Sequence, residues 1–184
     1  MRIVQVLAFA CAVIWLTGNL LVIVIAPTLF AHAPPKAPAN GVSQDIVSHQ
    51  AAGAIFGDLL HASSRVLEAG PIPGCVIATV LVTIAVWRSR RILTGVLCSA
   101  TLLVAASAHA WGSLLQTRMA SLLASLLEGT TEGSGWSTFS TMHRQAEMVM
   151  GGETVAVLVL AIVLAVIIAC APTVLPNPTQ TPTL

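Results

Sequence analysis

Asp58, His61, Arg65 and Glu68 follow one another at intervals of three, four and three positions. At about 100° per residue this spacing holds all four side chains within an arc of about 80° on one helix. Such a stripe can close on itself as a structural ladder, line a ligand or ion path, or mark a shallow, water-exposed interfacial helix. The ladder reading pairs Arg65 with Glu68 and Asp58 with His61. A second set lies near the C-terminal end, where His143 and Glu147 are four apart, Met150 and Thr154 continue that face and Glu153 sits at its edge. His109 stands alone in the apolar run between them, followed by Ser113 and Gln116 on roughly the same face.

Neutral imidazole is a common metal ligand, so His61, His109 and His143 are the candidate ligands for a metal ion. Two imidazoles from different helices, such as His61 with His109 or His109 with His143, suit a haem b iron. The absence of C-x-x-C-H makes any such haem non-covalent. Met142, Met148 and Met150 would suit Cu(I), although methionines at helical spacing also serve as packing residues. The zincin pattern H-E-x-x-H, a P-loop, a nucleophile elbow and a dinucleotide fingerprint do not occur. The expectation is therefore a chain without enzymatic activity and without a cofactor, haem b and a metal ion being the alternatives.

The elements that carry these residues are set by composition. With 56% hydrophobic and 8% charged residues and a mean hydropathy of +0.90, the 184-residue chain is too apolar for a water-facing surface, and lipid is its expected solvent. A net charge of +1 gives no field for nucleic acid or acidic partners. The first apolar run, from Ile3 to Ala26, is about 36 Å long as a helix, enough to cross hydrocarbon about 30 Å thick. Pro27 is expected to end it. A cleaved signal peptide is the alternative, with Ala31-His32-Ala33 as the cleavage site.

From Pro27 to Ser48 the prolines and Gly41 predict an exposed loop. Gln50 to Gly70 then reads as a polar-striped helix leading into Cys75 to Trp87, which is too short to span alone. One helix kinked at Pro71 and Pro73 is expected, an interfacial helix leading into a short span being the alternative. A third span is expected from Ile92 to about Leu115. An outer connection follows, with Arg118, an amphipathic stretch to Leu127 and the loop Gly129 to Gly135. A last helix, from near Ser137 to Ala171, is polar to about Thr154 and apolar beyond. The fold class is all-α, an integral membrane four-helix bundle over residues 1–171, with a Pro-rich tail at 172–184 expected to be disordered.

Arg88, Arg90 and Arg91 form the densest basic cluster, and short basic loops remain on the cytoplasmic side. Both termini are then cytoplasmic, in the inner membrane of a bacterium. The histidines, with Asp58, Glu68, Glu147 and Glu153, fall in the outer half. A charge at mid-bilayer costs about 2.5–3.5 kcal/mol, so the polar stripe should face the bundle interior or a wet cavity. Trp15, Trp87, Trp111 and Trp136 are candidate interface anchors, Trp87 the best placed. Cys11, Cys75, Cys98 and Cys170 are dispersed singly and read as small apolar residues.

A series of short motifs adds to this reading. Trp15-x-x-Gly18 lies in the first helix, Ala26-Pro27-x-x-Phe30 at its exit, and Ala52-Gly53 with Gly57 opens the second. Arg118-Met119 follows the third span and Phe139-x-x-x-His143 opens the last. Their order resembles the transmembrane protein 205-like family, domain of unknown function 4149, over about residues 7 to 165. The resemblance implies a four-helix membrane domain with no established biochemical activity. It marks Phe139 and His143 as family-type positions. The chain departs from the family pattern at Thr117, Met142 and Glu147. More remotely, the architecture is similar to His-bearing membrane bundles of the copper-resistance D type.

Three functions follow as expectations. The first is a multi-pass membrane protein with an outer-half His/carboxylate network, structural or small-ligand-binding. The second is a haem or metal redox protein. The third is a proton- or ion-coupled permease titrating at Asp58, Glu147 and Glu153, whose pathway through four spans would be narrow without homo-oligomerisation. The expected partners are the bilayer and further copies or subunits of a membrane complex.

Overall fold

The computed structural model describes residues 1–31, 44–127 and 135–171. Among them the chain is helical throughout its length apart from short turns, in five segments: α1 (Arg2–Ala31), α2 (Gln44–Ala69), α3 (Pro71–Arg88), α4 (Ile92–Leu127) and α5 (Gly135–Ala169). Helices this uniformly apolar cannot turn a dry face to water, and every backbone group must be satisfied within the segment, which is what a helix does. Four stretches are long and apolar enough to cross a membrane: Arg2–Ile25, Gly57–Arg88, Ile92–Leu126 and Ser137–Ala169. The fold is an all-α four-helix bundle.

The second span is interrupted where the sequence removes hydrogen-bond donors. Pro71 opens α3 and Pro73 follows, so neither can close an i→i−4 bond back into α2. Gly70 forms the junction, and its carbonyl accepts from Gly74 N at 2.8 Å, restarting the ladder.

Three expected boundaries are corrected. α1 runs through Pro27 to Ala31, because one missing donor costs a single bond and the preceding carbonyls keep partners, Thr28 Oγ1 donating to Val24 O at 3.1 Å. α2 begins at Gln44, so the expected loop from Pro27 to Ser48 is helical at both ends; residues 32–43 lie outside the described part of the chain. α4 does not stop near Leu115 but continues through Arg118 and the Ser/Leu-rich stretch to Leu127. That stretch holds no proline or glycine to break the ladder. The loop at 129–135, apart from Gly135, and the tail at 172–184 lie outside the described residues.

The helices form a closed ring in which α1 packs on α3, α3 on α4, α4 on α5 and α5 on α1, while α2 lies against α1 and the start of α3. α1 runs antiparallel to the α2–α3 span: Gly18 abuts Leu67 of α2, and farther along Cys75 Sγ of α3 lies 4.0 Å from Ala8 O. Small residues let the backbones approach, with Ala8, Ala12, Cys75, Ala78, Cys98, Ala105 and Ala161 all buried. Leu160, Leu164, Val157 and Val82 fill the space between them, and α5 is the most enclosed helix. Ile3, Leu7, Val24, Ile77, Leu93, Leu103 and Val155 remain exposed, an apolar exterior suited to lipid.

Candidate functional site

The polar centre of the bundle is Glu153, an acid where the polar part of α5 gives way to the apolar part, with a side chain only 7% exposed. Three nitrogens from two other helices converge on its Oε1. Trp15 Nε1 donates at 2.6 Å and Asn19 Nδ2 at 3.2 Å, both from α1, and His109 Nδ1 lies at 3.2 Å from α4. Among the described residues no hydrogen bond reaches Oε2. A buried carboxylate is tolerable only with such partners, since a bare charge in low dielectric costs several kcal/mol.

The sequence builds the cradle locally. Trp15 and Asn19 are four apart on α1, one turn of helix, and therefore share a face. Trp15 is fully buried, and its indole meets the His109 ring edge-on, centroids 5.7 Å apart and planes at 85°. That contact fixes the imidazole orientation on one side while Glu153 fixes it on the other. Trp15 is thus a core hydrogen-bond donor and not the interface anchor expected from its residue type. Trp87 and Trp111 are about half exposed, as anchors would be.

His109 Nε2 faces a second acid. It lies 3.4 Å from Glu68 Oε1 without the alignment of a hydrogen bond, and it is sealed from solvent with no other partner. Glu68 itself is 51% exposed. The imidazole therefore stands between an acid in contact with the surroundings and an acid inside the bundle. Chemically, the arrangement can pass a proton: Nε2 accepts one from Glu68 as Nδ1 gives one to Glu153.

The remaining candidates lie elsewhere. Asp58, His61 and Arg65 are exposed, and neither the Asp58 with His61 nor the Arg65 with Glu68 pairing forms. The reason is topological: α2 has α1 and the start of α3 as neighbours, so most of its polar stripe faces outward and only Glu68, at its end, reaches the bundle interior. His143 Nε2 pairs with Glu147 Oε1 at 3.3 Å on the exposed N-terminal part of α5, with the Phe139 ring stacked on His143 at 6.3 Å. The structure does not bring His61, His109 and His143 together. Among the described residues no group of three or more His, Cys, Asp or Glu is arranged to hold a metal ion.

Trp15 and Asn19 are the residues that sequence reasoning passed over. Their signal was present, a lone amide in a long apolar run one turn from an indole, both able to donate to a buried acceptor. Comparison of the chain with protein-family profiles, curated proteins and solved structures yields no match.

Proposed function

We propose that this chain is a non-enzymatic integral membrane protein whose Glu153 binds and releases a proton, exchanged with the outer aqueous side through His109 and Glu68. The observation that carries the reading is the placement of His109, with Nδ1 at 3.2 Å from buried Glu153 and the sealed Nε2 at 3.4 Å from exposed Glu68. Intramembrane ionisable residues are expensive to insert, and they recur in proton relays. His109 and Glu153 each lie about 25 Å along their helices from the Arg88–Arg91 end, near the far side of a hydrocarbon layer about 30 Å thick. With the arginine turn cytoplasmic, the relay opens outward and both ends of the chain face the cytoplasm, in keeping with a bacterial inner-membrane protein.

The transmembrane protein 205-like resemblance is compatible with this architecture and supplies no activity of its own. A second reading, that the network only fixes helix register, draws support from the way Glu153 ties α1 to α4. The rate at which Glu153 is protonated after a pH jump, read by infrared spectroscopy in bilayers, separates the two. Slower protonation in Glu68→Gln, with unfolding stability retained, supports the relay. No protonation of Glu153 in the unaltered protein, or an unchanged rate in Glu68→Gln, leaves the structural reading.

A further inference from the structure

The turn between α3 and α4 concentrates charge in a way that the proton relay does not use. Arg88, Arg90 and Arg91 are all exposed there. The backbone folds as a Schellman-type cap, Arg91 N donating to Val86 O at 3.2 Å and Arg90 N to Trp87 O at 3.0 Å. Arg90 occupies the left-handed position of this cap, at φ 60°, where glycine is the usual residue. A strained arginine at a glycine position is the first sign that the charge itself is wanted.

The second sign is what surrounds it. Because α1 is antiparallel to α3, the start of α1 lies at the same end, bringing exposed Arg2 to that side of the bundle. Half of the chain's eight basic side chains gather here, and among the described residues no acidic side chain lies at this end. No ion pair in the described structure neutralises any of these four arginines. Trp87 is half exposed beside them, its ring lying across Gly95, where any added Cβ would strike it. An open, largely apolar groove of about 340 Å³ runs beside Arg2 over Ile3 and Val6.

Unpaired guanidinium groups and a half-exposed indole at one end of the bundle, with an apolar groove beside Arg2, match one ligand chemistry. We infer that this end of the bundle is a binding site for an anionic glycerophospholipid, its phosphate held by Arg2 and the Arg88–Arg91 turn and an acyl chain lying over Ile3 and Val6. Guanidinium pairs with phosphate through parallel N–H bonds, and basic residues at a membrane surface attract anionic lipid. The inference does not depend on the relay, and it holds whichever side of the membrane this end faces.

The test uses the unaltered protein in a non-ionic detergent with equimolar phosphatidylglycerol and phosphatidylcholine, bound lipid being read by native mass spectrometry. The expected result is about a tenfold preference for phosphatidylglycerol. High salt should abolish the preference, and millimolar inorganic phosphate should not, because phosphate alone lacks the acyl chain. The variant R2Q/R91Q should lose the preference while R118Q/R144Q keeps it. Equal retention of the two lipids, a preference that survives high salt, full displacement by phosphate, or an unchanged preference in R2Q/R91Q would each overturn the site. Should R2Q/R91Q fail to insert, the salt and phosphate arms on the unaltered protein decide the matter.

Discussion

The Trp15 indole N–H donates to Glu153 Oε1 across 2.6 Å, joining positions 138 residues apart inside the bundle. The bond couples α1 to α5 at the level where His109 reaches the same oxygen, so the stability of the bundle and the chemistry of the acid share one atom. Removing the donor while keeping the ring tests its contribution. Trp15→Phe should lower unfolding stability in detergent by about 1–2 kcal/mol, the upper range for interhelical bonds in membranes because the acceptor is an acid. A double-mutant cycle with Glu153→Gln should return a coupling energy well above zero. Additive effects would mean that the contact contributes nothing specific.

Glu68 is predicted to behave differently. It is half exposed and makes no aligned hydrogen bond to His109, so Glu68→Gln should leave stability within about 0.5 kcal/mol. The same substitution should slow proton exchange at the buried site. Chemical unfolding and the rate of Glu153 protonation after a pH jump, measured on one preparation, check both halves.

Close packing makes a third prediction. A Cβ on Gly18 would lie 2.8 Å from Leu67 Cδ1, so a larger residue there must push Leu67 aside. Gly18→Val should destabilise the bundle by about 1–3 kcal/mol, and Leu67→Ala in the same chain should recover part of the loss. Leu67 precedes Glu68, so the single variant should also disturb proton exchange. Thermal unfolding with and without the second substitution measures the rescue.

Much of this was legible from sequence, and the rest was hidden for identifiable reasons. Long apolar runs disclose spans because lipid permits few alternatives, and Pro71 with Pro73 disclose the interruption because they remove donors. Pro27 misleads, since a single missing donor does not by itself end a helix. Glu68, His109 and Glu153 stand out by residue type. That they meet depends on the register between helices, which no spacing within one helix contains. Asp58, His61 and Arg65 look equivalent to Glu68 along the stripe and differ only in having no helix across from them. Trp15 was hidden by its type: an indole in a membrane helix reads as an interface residue until an acid is seen opposite it.

Arg90 gives a fourth prediction. Its φ of 60° is costly for a residue with a Cβ, and glycine removes that cost. Arg90→Gly should raise unfolding stability in detergent by about 1 kcal/mol, while Arg90→Val should lower it by more. A stabilising effect from valine would contradict the left-handed assignment.

The orientation can be read with the cysteines already present. Cys170 is exposed at the end of α5, Cys75 and Cys98 are buried and Cys11 is half-buried. A membrane-impermeant maleimide should leave Cys170 unlabelled in intact cells and label it after permeabilisation. Labelling in intact cells would reverse the topology and place the relay on the cytoplasmic side.

The central claim, that Glu153 gains and loses a proton through His109, is tested most directly by pH-difference infrared spectroscopy of the protein in bilayers. The account predicts a carboxylic-acid carbonyl band that appears on acidification, disappears in Glu153→Gln, and forms more slowly in His109→Phe. No pH-dependent carboxyl band assignable to Glu153 while the protein stays folded, or a band whose kinetics ignore His109, would contradict it.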